Sequence, residues 1–276
     1  MNKQVRDIKA LNRRMIDMKV LENALKYIHQ REYDGGGFTL YEGIPDGKNT
    51  YYGLSVLNLL GETPNNIDKT IYWLKNLQNS RVFGIYGKFN LLNSLVLLGK
   101  EPKIPDKYIR PLSEKKEFPN LEIAYLTTVI LKLTGHHNLN HISEWILRQQ
   151  NDDGGFNIGG SYIQSTYYAF ESLNCIDESF IENRDNILDF TKRCRTKEGL
   201  FVYTPISYPP YIESIYSGVK IFETLGKVPE NKESMVDFVL ELQNNDGGFR
   251  RSIYMGISEL EYTYRALYVL KTLSYL

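Results

Sequence analysis

The sequence predicts an all-α fold: six helical hairpins closed into an α/α toroid, with an inner and an outer ring of helices. Three observations carry this. Gln150-Asn151-Asp152-Asp153-Gly154-Gly155-Phe156 recurs almost letter for letter as Gln243-Asn244-Asn245-Asp246-Gly247-Gly248-Phe249, and Asp34-Gly35-Gly36-Gly37-Phe38 is a version with one more glycine. Each copy separates two stretches of helical apolar spacing, so the period is one hairpin. An aromatic residue also sits at one register of every second helix, at Tyr51, Phe89, Tyr125, Tyr167, Tyr216 and Tyr264, with separations of 38, 36, 42, 49 and 48 residues.

Residues 1–20 read as a helical extension, with Ile8, Leu11, Met15 and Met18 on one stripe, and residues 21–276 as a single toroid domain. In the first hairpin Leu21 to His29 is amphipathic, while Thr50 to Leu60 is apolar on nearly all sides, as a buried helix would be. Gly61 then offers a left-handed stop and Pro64 discourages continuation. The second hairpin pairs Ile67 to Leu77 with Phe89 to Leu98 around a turn without Asp-Gly-Gly, and the third pairs a weakly periodic Pro105 to Glu117 with Ile123 to Leu133. The fourth uses Ile142 to Gln149 and Thr166 to Leu173, and the fifth uses Ile187 to Cys194 and Tyr216 to Leu225. The sixth pairs Met235 to Leu242 with a last helix reaching the end of the chain. That helix is as apolar as the internal ones and has no polar cap, which favours a closed ring over an open solenoid.

In the turns, glycine permits left-handed backbone and close approach of the next hairpin, and Asp153 can bond the amides of its own turn. Gln150 can bridge to a neighbouring helix end and Phe156 can pack over the turn. These are scaffold roles.

The 276-residue chain is 42% hydrophobic, and its 33 Lys plus Arg balance 33 Asp plus Glu, so no overall field selects nucleic acid. The first twenty residues are charged, without an apolar run of signal or spanning length, so a soluble, cytoplasmic, non-membrane-spanning protein is expected. Cys175 and Cys194 are too few for a disulfide framework or a four-cysteine zinc site. Tyrosine is abundant at 21 residues, and with 12 Phe it suits a packed core or a ligand cavity.

Gln-x-x-Asp-Gly-Gly-Phe turns followed by a Tyr-rich helix resemble the repeats of the protein prenyltransferase β-subunits and of the squalene and terpenoid cyclases. The resemblance is strongest in repeats one, four and six. It implies an aromatic central cavity that holds an isoprenoid diphosphate, and a helical α-subunit-like partner. It also implies a zinc held by Asp and Cys three and one residues before the fifth anchor and by His three before the sixth. Those positions are Glu213, Ile215 and Glu261, so zinc is not expected, and the two carboxylates suit a harder cation such as magnesium (Mg²⁺) better. The basic positions for the diphosphate are replaced by Gln164, Ser207 and Pro210, and the cyclase Asp-x-Asp-Asp acid is absent.

Within the ring, residues at and three beyond each anchor are expected to face the cavity, among them Tyr51, Leu54, Phe89, Tyr125, Tyr167, Phe170, Tyr216 and Tyr264. The alternative is that side chains fill the middle. Residues three before the anchors, Lys48, Tyr86, Glu122, Gln164, Glu213 and Glu261, are expected to ring one mouth. There Glu213 and Glu261 would form the catalytic acid/base pair, with like-charge proximity raising one pKa, or hold a divalent cation; the plain alternative is a solvated rim. Lys48 and Arg265, with Lys88, Arg250 and Arg251 nearby, are the candidates for a diphosphate. The reading is a prenyltransferase-like or terpenoid-cyclase-like protein binding an isoprenoid; the alternative is a non-catalytic toroid that holds a lipid or a peptide.

Overall fold

The structure, a computed structural model, describes residues 18–78, 84–177, 184–254 and 256–276. The expected stripe of Ile8, Leu11 and Met15 lies outside them. Helix α1 covers 18–30 and places Val20 in the core, so the boundary expected at residue 20 falls inside a helix. The remaining helices are α2 (Gly47–Leu60), α3 (Ile67–Gln78), α4 (Ile85–Leu97), α5 (Arg110–Ser113), α6 (Leu121–Leu133), α7 (Asn140–Leu147), α8 (Ile163–Ile176), α9 (Arg184–Arg193), α10 (Ile212–Thr224), α11 (Lys232–Glu241) and α12 (Leu260–Thr272). A single 3₁₀ turn, Asp106–Tyr108, precedes the four-residue α5, which is all the weak periodicity of the third outer segment sustains. Helix α4 begins four residues ahead of its aromatic anchor, earlier than the apolar run alone indicates.

The even-numbered helices form the inner ring. They touch in sequence order, α2 to α4, α6, α8, α10 and α12, and α12 returns to α2. The ring is closed. Across the seam Lys271 Nζ donates to the Leu59 carbonyl at 2.6 Å and Gln243 Nε2 to the Val20 carbonyl at 3.0 Å.

The recurrent turn explains how hairpins stack. Its Phe pairs as an isolated antiparallel bridge with the residue six positions earlier in four hairpins, Glu32 with Phe38, Gln150 with Phe156, Arg195 with Phe201 and Gln243 with Phe249, the hydrogen bonds running between the residues on either side, as from Tyr33 N–H to the Gly37 carbonyl and Thr39 N–H to the Arg31 carbonyl. Asp153 Oδ1 and Asp246 Oδ1 accept from Gly155 and Gly248 at 3.0 and 3.1 Å. Gly154 and Gly247 have φ of 83° and 91° and lie against the backbone of the next outer helix, where an added Cβ would stand 2.4 Å from the Asn186 oxygen and 2.1 Å from the Asn23 oxygen. The second of these contacts joins the last hairpin to the first. Only glycine satisfies both the left-handed conformation and the clearance.

The turn is also tied to the inner helix. Phe38, Phe156 and Phe249 donate their backbone N–H to Thr50, Thr166 and Thr263 Oγ1 at 3.0, 2.9 and 3.0 Å. Each threonine immediately precedes an anchor aromatic, so the turn sets the rotation of the helix that presents the anchor. These three hairpins are the ones that carry the full sequence motif.

Candidate functional site

The six anchors meet at the centre. Ring centroids lie 5.5 Å apart for Tyr51 and Phe89, 6.1 Å for Phe89 and Tyr125, 6.1 Å for Tyr125 and Tyr167, 5.7 Å for Tyr167 and Tyr216, and 6.1 Å for Tyr216 and Tyr264. Tyr52, 5.9 Å from Tyr264 and 5.0 Å from Tyr51, completes the circle. Above this aromatic circle lies a cavity of about 330 Å³, lined by all six anchors together with Lys48, Tyr52, Tyr86, Asn90, Glu122, Leu126, Tyr168, Glu261 and Arg265. No residue one turn further along the inner helices lines it. The anchors are therefore a floor, and the lumen is a cup rather than a tunnel. One turn further along α10 and α12, Lys220 Nζ donates to Glu223 Oε2 and Tyr268 OH at 3.0 and 2.9 Å.

A second cavity of about 390 Å³ adjoins the first and shares Glu122, Tyr168, Glu261 and Arg265 with it. Its other walls are polar: Asn120, Asn157, Tyr162, Gln164, Ser165, Tyr203, Glu213 and Tyr262. Thus the six residues three before the anchors all line one or other cavity.

The positions three beyond the anchors do not. Leu54 and Phe170, expected at the cavity, line neither one and are 2% and 0% exposed within the hydrophobic core. The inward face is centred on the anchor, the residue after it and the residue three before it, so Tyr52, Asn90, Leu126 and Tyr168 join the expected Arg265 in place of the residues three beyond the anchors. The doublets Tyr51-Tyr52 and Tyr167-Tyr168 were the signal for this in the sequence. The polar walls contributed by Asn157, Tyr162 and Tyr203 come from loops and carry no period.

Burial of the hydroxyls pushes Tyr51, Tyr125, Tyr167 and Tyr216 up, so the floor is uncharged. Tyr168 is raised to about 12 by burial, against which the Arg265 charge works. Arg265 is the one cation sunk in this wall among the described residues. Its Nη2 donates to Glu261 Oε1 at 2.6 Å and its guanidinium stands 5.1 Å from the centre of the Tyr216 ring. Lys48 Nζ reaches Glu261 Oε2 at 2.7 Å.

Glu213 and Glu261 are differently placed from the acid/base pair expected. Burial pushes the Glu261 carboxyl up, but Arg265 and Lys48 outweigh it and hold the group below the usual carboxylate range. Like-charge proximity does not govern it. Glu213 Oε1 accepts from Arg251 Nε at 2.6 Å, while its Oε2 is buried without a partner among the described residues.

The zinc positions of the resembled family do not fit that metal. Glu213 and Glu261 are engaged by cations, and Ile215 is fully buried and apolar. Magnesium would have to displace Arg251 from one carboxylate and Lys48 and Arg265 from the other. Among the described residues no three His, Cys, Asp or Glu side chains converge as metal ligands. The five basic candidates do not converge either: Lys48 and Arg265 line the aromatic cavity, whereas Lys88, Arg250 and Arg251 do not. Cys175 and Cys194 are free thiols, and burial raises Cys194 to about 12. No helix among the described residues is long and apolar enough to cross a membrane.

A closed ring of six helical hairpins around an aromatic cup defines an α/α toroid. The sequence profile of the prenyltransferase alpha-alpha toroid domain matches residues 5–93 and 121–275, and the chain belongs to that family. Among solved structures it is similar to Candida albicans protein geranylgeranyltransferase-I complexed with GGPP, at 15% identity and TM-score 0.68, over 82% of this chain and 83% of that one. It is also similar to variants of the type II terpene cyclase MstE from Scytonema. One, in complex with the product merosterolic acid A, aligns at 10% identity and TM-score 0.62 over 96% of this chain and 98% of that one. Another, in complex with the substrate geranylgeranyl dihydroxybenzoate, aligns at 8% identity and TM-score 0.64 over 96% and 99%. No curated protein sequence matches the chain. These likenesses concern the fold.

Proposed function

We propose that this protein binds an isoprenoid chain in the aromatic cup, floored by Tyr51, Phe89, Tyr125, Tyr167, Tyr216 and Tyr264, with Lys48 and Arg265 on its wall. The observation that carries the reading is the unbroken circle of ring-to-ring contacts beneath a cavity of about 330 Å³. Such a floor offers π faces and no charge to the flat, branched isoprene unit, and burying each methylene there is worth about 0.8 kcal/mol. The volume lies near the lower end of the roughly 300–1,000 Å³ usual for ligand pockets, which favours a short isoprenoid. The two solved relatives named with geranylgeranyl ligands support the same class of compound.

Binding without turnover is a second reading, favoured by one observation. Glu261, which lines the cup, is held below the usual carboxylate range by Arg265 and Lys48 and is a poor proton donor at neutral pH. A cyclase that protonates an alkene needs a strong acid there, and thiol prenylation needs a metal that these residues do not suit.

Native mass spectrometry with geranyl, farnesyl and geranylgeranyl compounds tests the first reading: one bound copy per chain is the expected result. Failure of all three chain lengths to bind would remove it. Incubation followed by product analysis separates enzyme from carrier.

A further inference from the structure

The polar cavity beside the cup is where a ligand's head would lie, and its chemistry selects that head. We propose that it receives a hydrogen-bond-donating, non-anionic group, a hydroxyl or an ammonium, rather than a diphosphate. This rests on the isoprenoid reading of the neighbouring cup.

Three carboxylates, Glu122, Glu213 and Glu261, line the polar cavity against one guanidinium, Arg265. That guanidinium is already committed, at 2.6 Å, to Glu261. Lys48 is spent on the same carboxylate from the other side, at 2.7 Å, and Arg251 on Glu213 at 2.6 Å. A diphosphate placed here would meet no free cation among the described residues that line the cavity and would face three carboxylates, an arrangement that discriminates against negative charge.

The acceptors are the incomplete partners. Glu122 receives a single donor, Tyr86 OH at 3.0 Å, and has no ion pair among the described residues. Glu213 Oε2 is a buried acceptor with no donor among them. A buried acceptor left unsatisfied is disfavoured until a donor is supplied. Asn120, Asn157 and Gln164 complete the wall with amides that accept as readily as they donate. A head with O–H or N–H bonds supplies the further donor that Glu122 lacks and, unlike a diphosphate, is not repelled by Glu213, and its attached chain passes Tyr168 and Arg265, which border both cavities, into the cup.

The test is calorimetric titration of the full chain with three compounds of one chain length: farnesol, farnesylamine and farnesyl diphosphate. The alcohol or the amine should bind at least about tenfold more tightly than the diphosphate. In Glu213→Gln and in Glu122→Gln that preference should shrink by about fivefold or more, and because it is a ratio within one variant it is insensitive to partial loss of fold. A diphosphate that binds as tightly as the alcohol and amine, or a preference unmoved in both variants, overturns the proposal while leaving the isoprenoid cup in place. Binding of none of the three overturns both.

Discussion

Arg265 and Glu261 lie one helical turn apart on α12, with Nη2 and Oε1 2.6 Å from each other and side chains 9% and 16% exposed. The guanidinium cannot neutralise itself, so its place in an aromatic wall depends on the carboxylate. Removing Glu261 as Glu261→Gln should therefore cost about 3 kcal/mol, because a buried cation loses its counter-charge. Removing both partners as Glu261→Gln with Arg265→Met should restore most of that loss. Urea unfolding of the two single variants and the double variant measures it, and additive losses would contradict the coupling.

The same pair fixes a pH dependence. Glu261 is held below the usual carboxylate range, since Arg265 and Lys48 overcome the upward push of burial. A depressed folded pKa contributes stability that is complete above the unfolded value of about 4.3 and disappears as pH falls through the folded one. The stability gap between the wild type and Glu261→Gln should be flat from about pH 8 to 5 and close below about pH 4. Lys48, whose pKa is raised by Glu261 despite burial, titrates only on the alkaline side and leaves this window untouched.

Gly247 is one of the contacts that close the ring, where an added Cβ would stand 2.1 Å from the Asn23 oxygen at φ 91°. Gly247→Ala should destabilise by at least about 2 kcal/mol, combining left-handed strain with displacement of α1 from α11. Hydrogen exchange should locate the loosened amides at the seam, in α1 and α12, with α6 and α8 unchanged. Uniform loss across all six hairpins would contradict a local seam.

Thr166 accepts the Phe156 amide at 2.9 Å and donates to the Tyr162 carbonyl at 2.8 Å, whereas Thr128 only donates to the Ala124 carbonyl at 3.0 Å. Thr166→Val orphans a buried amide and should cost about 1–3 kcal/mol, with Thr128→Val below about 1 kcal/mol. Equal losses from the two substitutions in thermal or urea unfolding would remove the special role of the turn-to-anchor bond.

The architecture was legible because each hairpin must solve the same packing problem, so Gly154 and Gly247, or Tyr167 and Tyr264, recur at comparable places in the sequence. The site was legible only where it follows that period. The anchors and the residues three before them repeat, and they line the cavities. Leu54 and Phe170 misled because an apolar residue on an inner helix can face the lumen or its neighbours, and periodicity alone does not choose between them. Tyr162 and Tyr203 stack at 4.5 Å across two loops of unequal length, a contact no repeat encodes. The ion pairs of Glu213 with Arg251 and of Lys48 with Glu261 likewise join residues distant in sequence, so the cationic partner of each carboxylate follows no period.

Asn90 offers a way to empty the cup of ligand without disturbing its floor. It follows the Phe89 anchor, lines the cavity and is only partly buried. A tryptophan there can extend into the open volume and adds apolar surface against the neighbouring rings, so the fold gains contacts as the cavity is lost. Asn90→Trp should weaken binding of every isoprenoid tested by more than about tenfold, whatever its head, and leave the unfolding midpoint within a few degrees of the wild type. Head-dependent weakening would instead put the chain outside the cup, since a filled aromatic cavity excludes alcohol, amine and diphosphate alike.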